Sequence, residues 1–264
     1  MRIAPYLAFA KKSFLRKGAY RFNLFMGILN TFLRIFIFWE IYRALYGGQT
    51  EVDGITMSMV TTNFILALGL EAVFAVDDYY LSSRLYNGSI SQELLLPVSF
   101  HGRMLAHNLG TAAFNLIFHF TPAFVAAVLV IGMEKPAGAG MFGLFLVSAL
   151  FGYGVLWSIS FMMQMLSFWL LNVWAVMTIK NVFVNVLSGA MIPLWFMPKW
   201  MECVINFTPF SSIYYTPVQI YLGQLTVDQI LIKFLIQSAW IVVLLCFGAF
   251  LWKKGQRKLV VQGG

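Results

Sequence analysis

Six stretches of this chain each run for about 20 residues or more with few charges, the length a helix needs to cross the roughly 30 Å hydrocarbon core of a bilayer. They are 22–46, 55–76, 104–132, 140–168, 173–192 and 229–252. Over 264 residues, 60% are hydrophobic and 11% are charged. A soluble domain holds roughly 45–50% apolar and about 25% charged residues. Too few charges remain here to clothe a water-facing surface, so lipid is the expected solvent for much of it. The expected fold class is all-α integral membrane, one transmembrane domain over 1–264 with six transmembrane helices. The fourth and fifth stretches are the hardest to separate: the join near Asn172 carries no charge, and Lys180 falls too late to be one.

The net charge of +8 has a membrane reading, because basic residues gather at the cytoplasmic ends of spans. With the N-terminus inside, the cytoplasmic segments hold Arg2, Lys11, Lys12, Arg16, Lys17, Arg21, Arg84, Arg103, Lys180, Lys253, Lys254, Arg257 and Lys258. The external segments hold only Lys135, Lys199 and Lys233, while Arg34 and Arg43 fall within the first span. Both termini are therefore expected in the cytoplasm, with an even number of spans between them. No compact soluble domain carries the charge, so nucleic acid is not an expected partner. Cys203 and Cys246 are too few for a disulfide scaffold. The short apolar patch at the N-terminus is followed by Lys and Arg rather than by a small-residue cleavage site, so these residues are expected to remain.

Three segments are neither plain span nor plain loop. In Pro5–Tyr20, Leu7, Ala10 and Phe14 share one helical face with Lys12 and Arg16 opposite and Phe9 on the polar side. An interfacial helix over 1–21, lying on the cytoplasmic leaflet, fits this pattern, with a basic flexible tail as the alternative. In Asp77–Arg103, Asn87-Gly88 signals a turn, Ser89 and Gln92 have capping-box spacing, and a short helix would carry Ile90, Leu94 and Leu95 up to Pro97. Its apolar side chains want either a protein partner or the lipid surface. The third segment, 193–228, is apolar and aromatic but broken by Pro193, Pro198, Pro209 and Pro217. Irregular backbone at membrane depth is tolerated only against protein or a wet cavity, so short re-entrant helices at the outer side are expected. Trp195, Trp200, Tyr214, Tyr215 and Tyr221 are expected at the interface.

Motifs for chemistry are missing. No phosphate-binding G-x-x-x-x-G-K-[ST], H-E-x-x-H or G-x-S-x-G occurs, and His101, His107 and His119 lack metal-ligand spacing. Asp77-Asp78 reads as a solvated helix end; the alternative is a cation site for lipid-head-group chemistry in a membrane-embedded enzyme. Ionisable and amide residues inside spans are costly and default to a structural or functional role. Arg34 and Glu71 differ in depth by roughly 9 Å at about 1.5 Å per residue, within reach of an ion pair, and substrate contact is the other reading. Glu40 and Arg43 stand three residues apart and can pair or meet head groups. Asn115 and His119, and Asn181 and Asn185, stand one turn apart and suit helix–helix hydrogen bonds. An ion-coupled carrier using Arg34, Glu71 and His119 is a further possibility, although no matched discontinuous spans support it.

The order of these parts resembles a known family. The motifs are LYNGSISQELLLPVS (Leu85–Ser99), SGAMIPLWFMPKW (Ser188–Trp200), TPFSSIYYTPVQIYLG (Thr208–Gly223) and a WKKGQRKL tail. Together they are similar to the permease subunit of a bacterial type-2 ABC exporter, of the small kind without its own ATPase domain. The resemblance implies a coupling helix near Leu85–Pro97 that docks on a separate ATPase, through Leu85, Tyr86, Asn87, Gly88, Ser89, Ile90, Gln92, Glu93 and Leu94. It implies that the N-terminal helix also touches the ATPase, and that the broken segment forms an outer gate with Pro193, Trp195, Pro198 and Pro209. It further implies a pair of permeases, identical or related, on an ATPase dimer in the bacterial inner membrane. No catalytic residue or cofactor is then expected on this chain, ATP and Mg belonging to the partner. Hydrophobic or amphipathic substrates such as lipids, peptides or drugs would be exported along the dimer seam.

Overall fold

The computed structural model describes residues 3–19, 21–52, 54–170 and 172–258. Arg2, Tyr20 and Leu259, which enter the expectations above, lie outside them. The chain begins with α1 (Ala4–Gly18) and α2 (Arg21–Tyr46). A two-residue antiparallel hairpin, β1 (Glu51–Val52) with β2 (Ile55–Thr56), leads into α3 (Met57–Val73). Two short helices follow, α4 (Tyr80–Tyr86) and α5 (Ile90–Leu94). Next, α6 (Phe100–Phe114) continues through a π-helical turn, Asn115–Phe120, into α7 (Thr121–Val130). After α8 (Ala139–Gln164), lengthened by a 3₁₀ turn at Met165–Phe168, comes α9 (Trp174–Leu187). The broken segment supplies a 3₁₀ turn at Leu194–Phe196, α10 (Lys199–Phe207) and α11 (Tyr215–Tyr221) before α12 (Val227–Gln256).

Four of these runs are long and apolar enough to cross a membrane: Arg21–Tyr46, Phe100–Val130, Ala139–Phe168 and Val227–Gln256. The stretches expected at 55–76 and 173–192 form shorter apolar helices of 17 and 14 residues. At 1.5 Å per residue these reach about 26 Å and 21 Å. For α3 the reason is its surroundings. Every residue from Val60 to Leu70 is buried, the polar Thr61, Thr62 and Asn63 among them, so protein encloses the helix on all sides. Its length answers to its neighbours rather than to lipid thickness.

The main core joins α3 (Leu66, Leu70) to α8 (Tyr153, Ile159), α11 (Val218, Tyr221) and α12 (Leu244). Small residues let the long helices approach. A Cβ at Gly248 would meet the Phe161 ring, and one at Gly255 the Phe168 ring. Fully buried Gln237 of α12 donates to the carbonyls of Ser148 (3.2 Å) and Ser212 (2.9 Å), tying α12 and the broken segment to α8. The aromatic residues of that segment divide. Trp200 is exposed, but Tyr214, Tyr215 and Tyr221 are buried, which corrects their expected place in an interfacial belt. They face inward because α11 packs on α3 and α8 instead of floating at the surface.

Helix α1 also differs from a helix resting on lipid alone, since it packs lengthwise on α6. A Cβ at Gly110 would collide with the Ala10 carbonyl, so the two backbones nearly touch. The Ser13 hydroxyl lies 3.0 Å from the Thr111 hydroxyl and 3.1 Å from His107 Nδ1. The Tyr6 hydroxyl accepts from the Ser99 amide at 3.3 Å. Phe9, assigned to a polar side by periodicity, sits beside the Arg103 guanidinium at 5.7 Å. The helix thus has three sides: Phe9, Ser13 and Tyr6 on protein, Lys12 and Arg16 at one edge, and Leu7 and Leu15, with Ile3 before them, exposed.

Candidate functional site

The segment between α3 and α6 is a knob built on a firm base. Asn87 makes its turn: the carboxamide oxygen accepts from the Ser89 amide (3.1 Å) and hydroxyl (2.7 Å), and Gly88 takes a left-handed φ of 72°. The capping box expected at Ser89 and Gln92 is not formed. Asn87 has captured the Ser89 hydroxyl, and Ser89 caps nothing with its side chain. Helix α5 ends before Pro97, as a residue without an amide hydrogen requires.

Ile90 is buried and Leu85 half-buried against Tyr80, Leu81, Phe100, Met104 and Trp252. The other side of the knob is bare: Tyr86 is 92% and Leu95 84% exposed, with Leu94 and Leu96 beside them. Contiguous exposed apolar side chains mark a place for a protein or a membrane surface. Asn87, Gly88 and Gln92 are also exposed, whereas Glu93 is turned inward. Its carboxylate accepts from Arg84 Nε (2.7 Å) and Arg103 NH1 (2.9 Å). Arg103 is only 1% exposed and donates as well to the Glu93 carbonyl at 2.6 Å. Glu93 therefore braces α5 against α4 and α6.

Three further ties fasten the loop that enters the knob. Fully buried Gln164 at the end of α8 donates to the Asp77 carbonyl (3.0 Å) and accepts from the Leu81 amide (3.2 Å). The Asn108 carboxamide oxygen accepts from the Asp77 amide at 3.0 Å. Asp78 is buried, with both carboxylate oxygens 2.6 Å from Lys180 Nζ; Lys180 also lies 3.0 Å from the Ser160 hydroxyl. Asp78 is therefore not part of a solvated end. Lys180, which falls within the fifth stretch yet counts by sequence among the cytoplasmic basic residues, sits inside α9 and is more buried than its partner. Burial forces such charges to find each other. Asn181 adds a longer bond to Asp78 at 3.4 Å.

The Asp77 carboxylate lies 3.5 Å from His107 Nε2 and accepts from the Tyr79 amide at 3.1 Å. Burial alone would raise it, but His107 and the Tyr79 amide outweigh burial and hold it below its usual range. A depressed carboxyl stabilises the fold above its unfolded value of about 3.9, and that contribution is lost as pH falls through the folded value. Hydrogen-exchange protection of residues 79–81 should therefore exceed that of an Asp77→Asn variant at pH 7, with the difference closing below about pH 4. A difference that persists unchanged at pH 3 would mean the carboxylate is not the tie.

Arg34, Glu71, His119 and Asn115 make contacts between helices. Arg34 donates to both Glu71 oxygens at 2.8 and 3.0 Å, joining α2 to α3. His119 Nε2 lies 2.8 Å from the Thr31 hydroxyl, and Asn115 donates to the Ala72 carbonyl at 3.0 Å. Both stand in the π turn. Asn185 is half-buried on α9. At the far end, Pro193 and Pro198 each precede a helical start, Trp195 packs on Tyr215 (5.8 Å between rings) and Phe196 stacks on Tyr42 (5.3 Å). Pro209 lies half-buried between α10 and α11. The prolines thus start and stop short helices that join the broken segment to the C-terminal end of α2. Arg43 stays at the surface with Glu40 at 3.4 Å.

The model of a family described as ABC-2 family transporter protein matches residues 28–263. No curated protein matches the chain, and no solved structure does.

Proposed function

The chain belongs to the ABC-2 transporter protein family, matched over nearly its whole length, and is a multi-pass membrane permease of an ABC transporter; from that premise we propose how it works. The α4–α5 knob is the coupling element, pressed by a separate ATPase dimer that binds ATP and Mg. Leu85, Ile90 and Glu93 hold the knob together, while Tyr86, Asn87, Gly88, Gln92 and Leu94 face the partner. Ser89 shapes the turn. The observation that carries this reading is the exposed apolar surface at Tyr86 and Leu95 on a base braced by buried Arg103.

Movement of the knob passes inward by two routes. One runs through Asp78 and Lys180 into α9 and the outer segment that α9 carries. The other runs through Gln164 into α8. Packed elements with discrete arrangements transmit such movement without bending. On this reading α3 and α9 complete six spans, both termini face the cytoplasm of a bacterial cell, and two permeases enclose the pathway. The proline-broken segment with Pro193, Trp195, Pro198 and Pro209 closes its outer end. The exposed apolar faces of the long helices suit export of a hydrophobic or amphipathic substrate. Arg34 and Glu71, Asn115 and His119, and Asn181 with Asp78 serve as interhelical ties within this frame.

The test is capture of the partner. A tagged chain purified from its host in mild detergent should carry a nucleotide-hydrolysing subunit with it. Leu95→Glu places a charge on the bare side of the knob and touches no internal tie. It should weaken capture at least tenfold, about 1.4 kcal/mol, at unchanged expression. Capture that is equal for both chains, or no ATPase with either, would sink the coupling role.

A further inference from the structure

Beneath the elbow between α1 and α2 lies a cavity of about 640 Å³, within the usual size of ligand sites. Its walls come from the last turn of α1 (Arg16, Lys17), the first turns of α2 (Asn23, Gly27), the end of α3 (Glu71, Ala72) and the π turn (Asn115, His119). None of these positions belongs to the knob or its ties. π turns inside α-helices recur at functional sites, and this one turns both of its polar residues to the cavity wall.

The charge of the wall is one-sided. Glu71 is its one acid, and both Glu71 oxygens are already held by Arg34. Arg16 and Lys17 are left as two cations at the mouth, of which Arg16 spends one nitrogen on His107 at 3.3 Å. Deeper in, Leu24, Ala75 and Phe114 make the wall apolar. Gly27 leaves room for the His119 ring, which a Cβ there would meet at 3.1 Å. The arrangement is a basic rim, amide groups below it and an apolar interior, set where an interfacial helix meets a membrane-crossing one.

We propose that this cavity binds a phosphate group carried on an amphiphile, namely the head group of an anionic phospholipid from the leaflet on which α1 lies. The phosphate sits between Arg16 and Lys17, Asn23 lies within the same mouth, and the diacylglycerol end enters the apolar part. Cations near a membrane surface each add about one kcal/mol toward anionic lipid, and a walled site adds selectivity that an open surface lacks. The inference goes beyond the transport reading and does not depend on it, because binding is measured on the permease without ATPase or nucleotide.

The experiment is native mass spectrometry of the full chain in detergent, titrated with phosphatidylglycerol, phosphatidylcholine or inorganic phosphate. Phosphatidylglycerol should bind at one tight site, with phosphatidylcholine at least tenfold weaker. The double variant R16Q/K17Q should weaken phosphatidylglycerol about thirtyfold, on the scale of two such charges. Ala75→Trp fills the cavity without changing any charge and should remove the tight site. K11Q/K12Q, on the same helix but outside the cavity, should leave it intact. Circular dichroism and gel-filtration profiles matching the parent establish that each variant is folded. The proposal is overturned if K11Q/K12Q weakens binding as much as R16Q/K17Q, or if folded Ala75→Trp binds as before, since attraction would then be to the surface at large. It is equally overturned if inorganic phosphate competes at the same concentration as the lipid, which would make the site one for a free anion.

Discussion

Lys180→Met should lower the unfolding free energy by about 3–5 kcal/mol, the usual cost of leaving one member of a buried ion pair without its partner. Asp78 would keep its buried position with only the 3.4 Å bond from Asn181 near its charge. The measurement is reversible unfolding in mild detergent, or the lifetime of the fold under heating if unfolding is irreversible. A second variant separates charge from shape. Asp78→Leu combined with Lys180→Met removes both charges, and replacing a buried pair by apolar residues of similar size is often neutral. The double variant should therefore recover most of what the single one loses. If it is no more stable than Lys180→Met, the loss comes from packing and the ion pair is not its source. The same double variant addresses transmission. A folded permease with the tie between the knob's entry loop and α9 removed should still capture its ATPase and permit ATP hydrolysis, but move substrate poorly. Full transport by that variant would leave Gln164 as the sole route into the bundle.

Gly110→Val should detach α1. Its Cβ would fall on the carbonyl of Ala10, a backbone atom that no side-chain rotation can move aside. Overpacking a close contact costs typically about 1–3 kcal/mol, and separation of the helices would also cost the Ser13 contacts with His107 and Thr111. Amide exchange over 4–18 should rise at least tenfold while α8 and α12 stay protected. Gly143→Ala is the control, because a Cβ at Gly143 meets nothing within 4 Å and should change little. Unchanged protection of α1 in Gly110→Val would mean that lipid, and not α6, holds the helix in place.

What could be seen in the sequence follows from what lipid demands. The bilayer sets a minimum length for an apolar helix, so the four long spans stand out from composition alone. Asn87-Gly88 and Pro97 marked the knob because a left-handed turn and a missing amide hydrogen are local requirements. Depth arithmetic put Arg34 and Glu71 within reach because each belongs to a span whose ends were visible, and in the structure the two side chains meet. The ties of the knob were harder. Lys180 falls within the fifth stretch, yet counts among the cytoplasmic basic residues, since a lysine in an apolar run is costly until its partner is known. That partner, Asp78, lies 102 residues away. Gln164 and Arg103 were hidden for the same reason, although a lone amide or guanidinium at the edge of an apolar stretch is itself a sign that something must satisfy it. The tyrosines of α11 show the opposite limit. Their amphipathic chemistry suits an interface and a core equally, and only the packing of α11 on α3 and α8 decides between them.

The Arg34–Glu71 pair has a consequence for how the chain enters the membrane. An arginine at the centre of an inserting helix costs roughly 2.5–3.5 kcal/mol on translocon scales. α2 precedes α3 in the chain, and it must bear that cost until α3 emerges. Once both have been synthesised, the pair neutralises itself and the two helices can pass from the translocon into lipid as one hairpin. The other elements that pack on α3, namely the π turn, α7 and α11, come later in the chain. Until they emerge α3 has α2 on one side and lipid on the others, and protein replaces that lipid only as these later elements arrive.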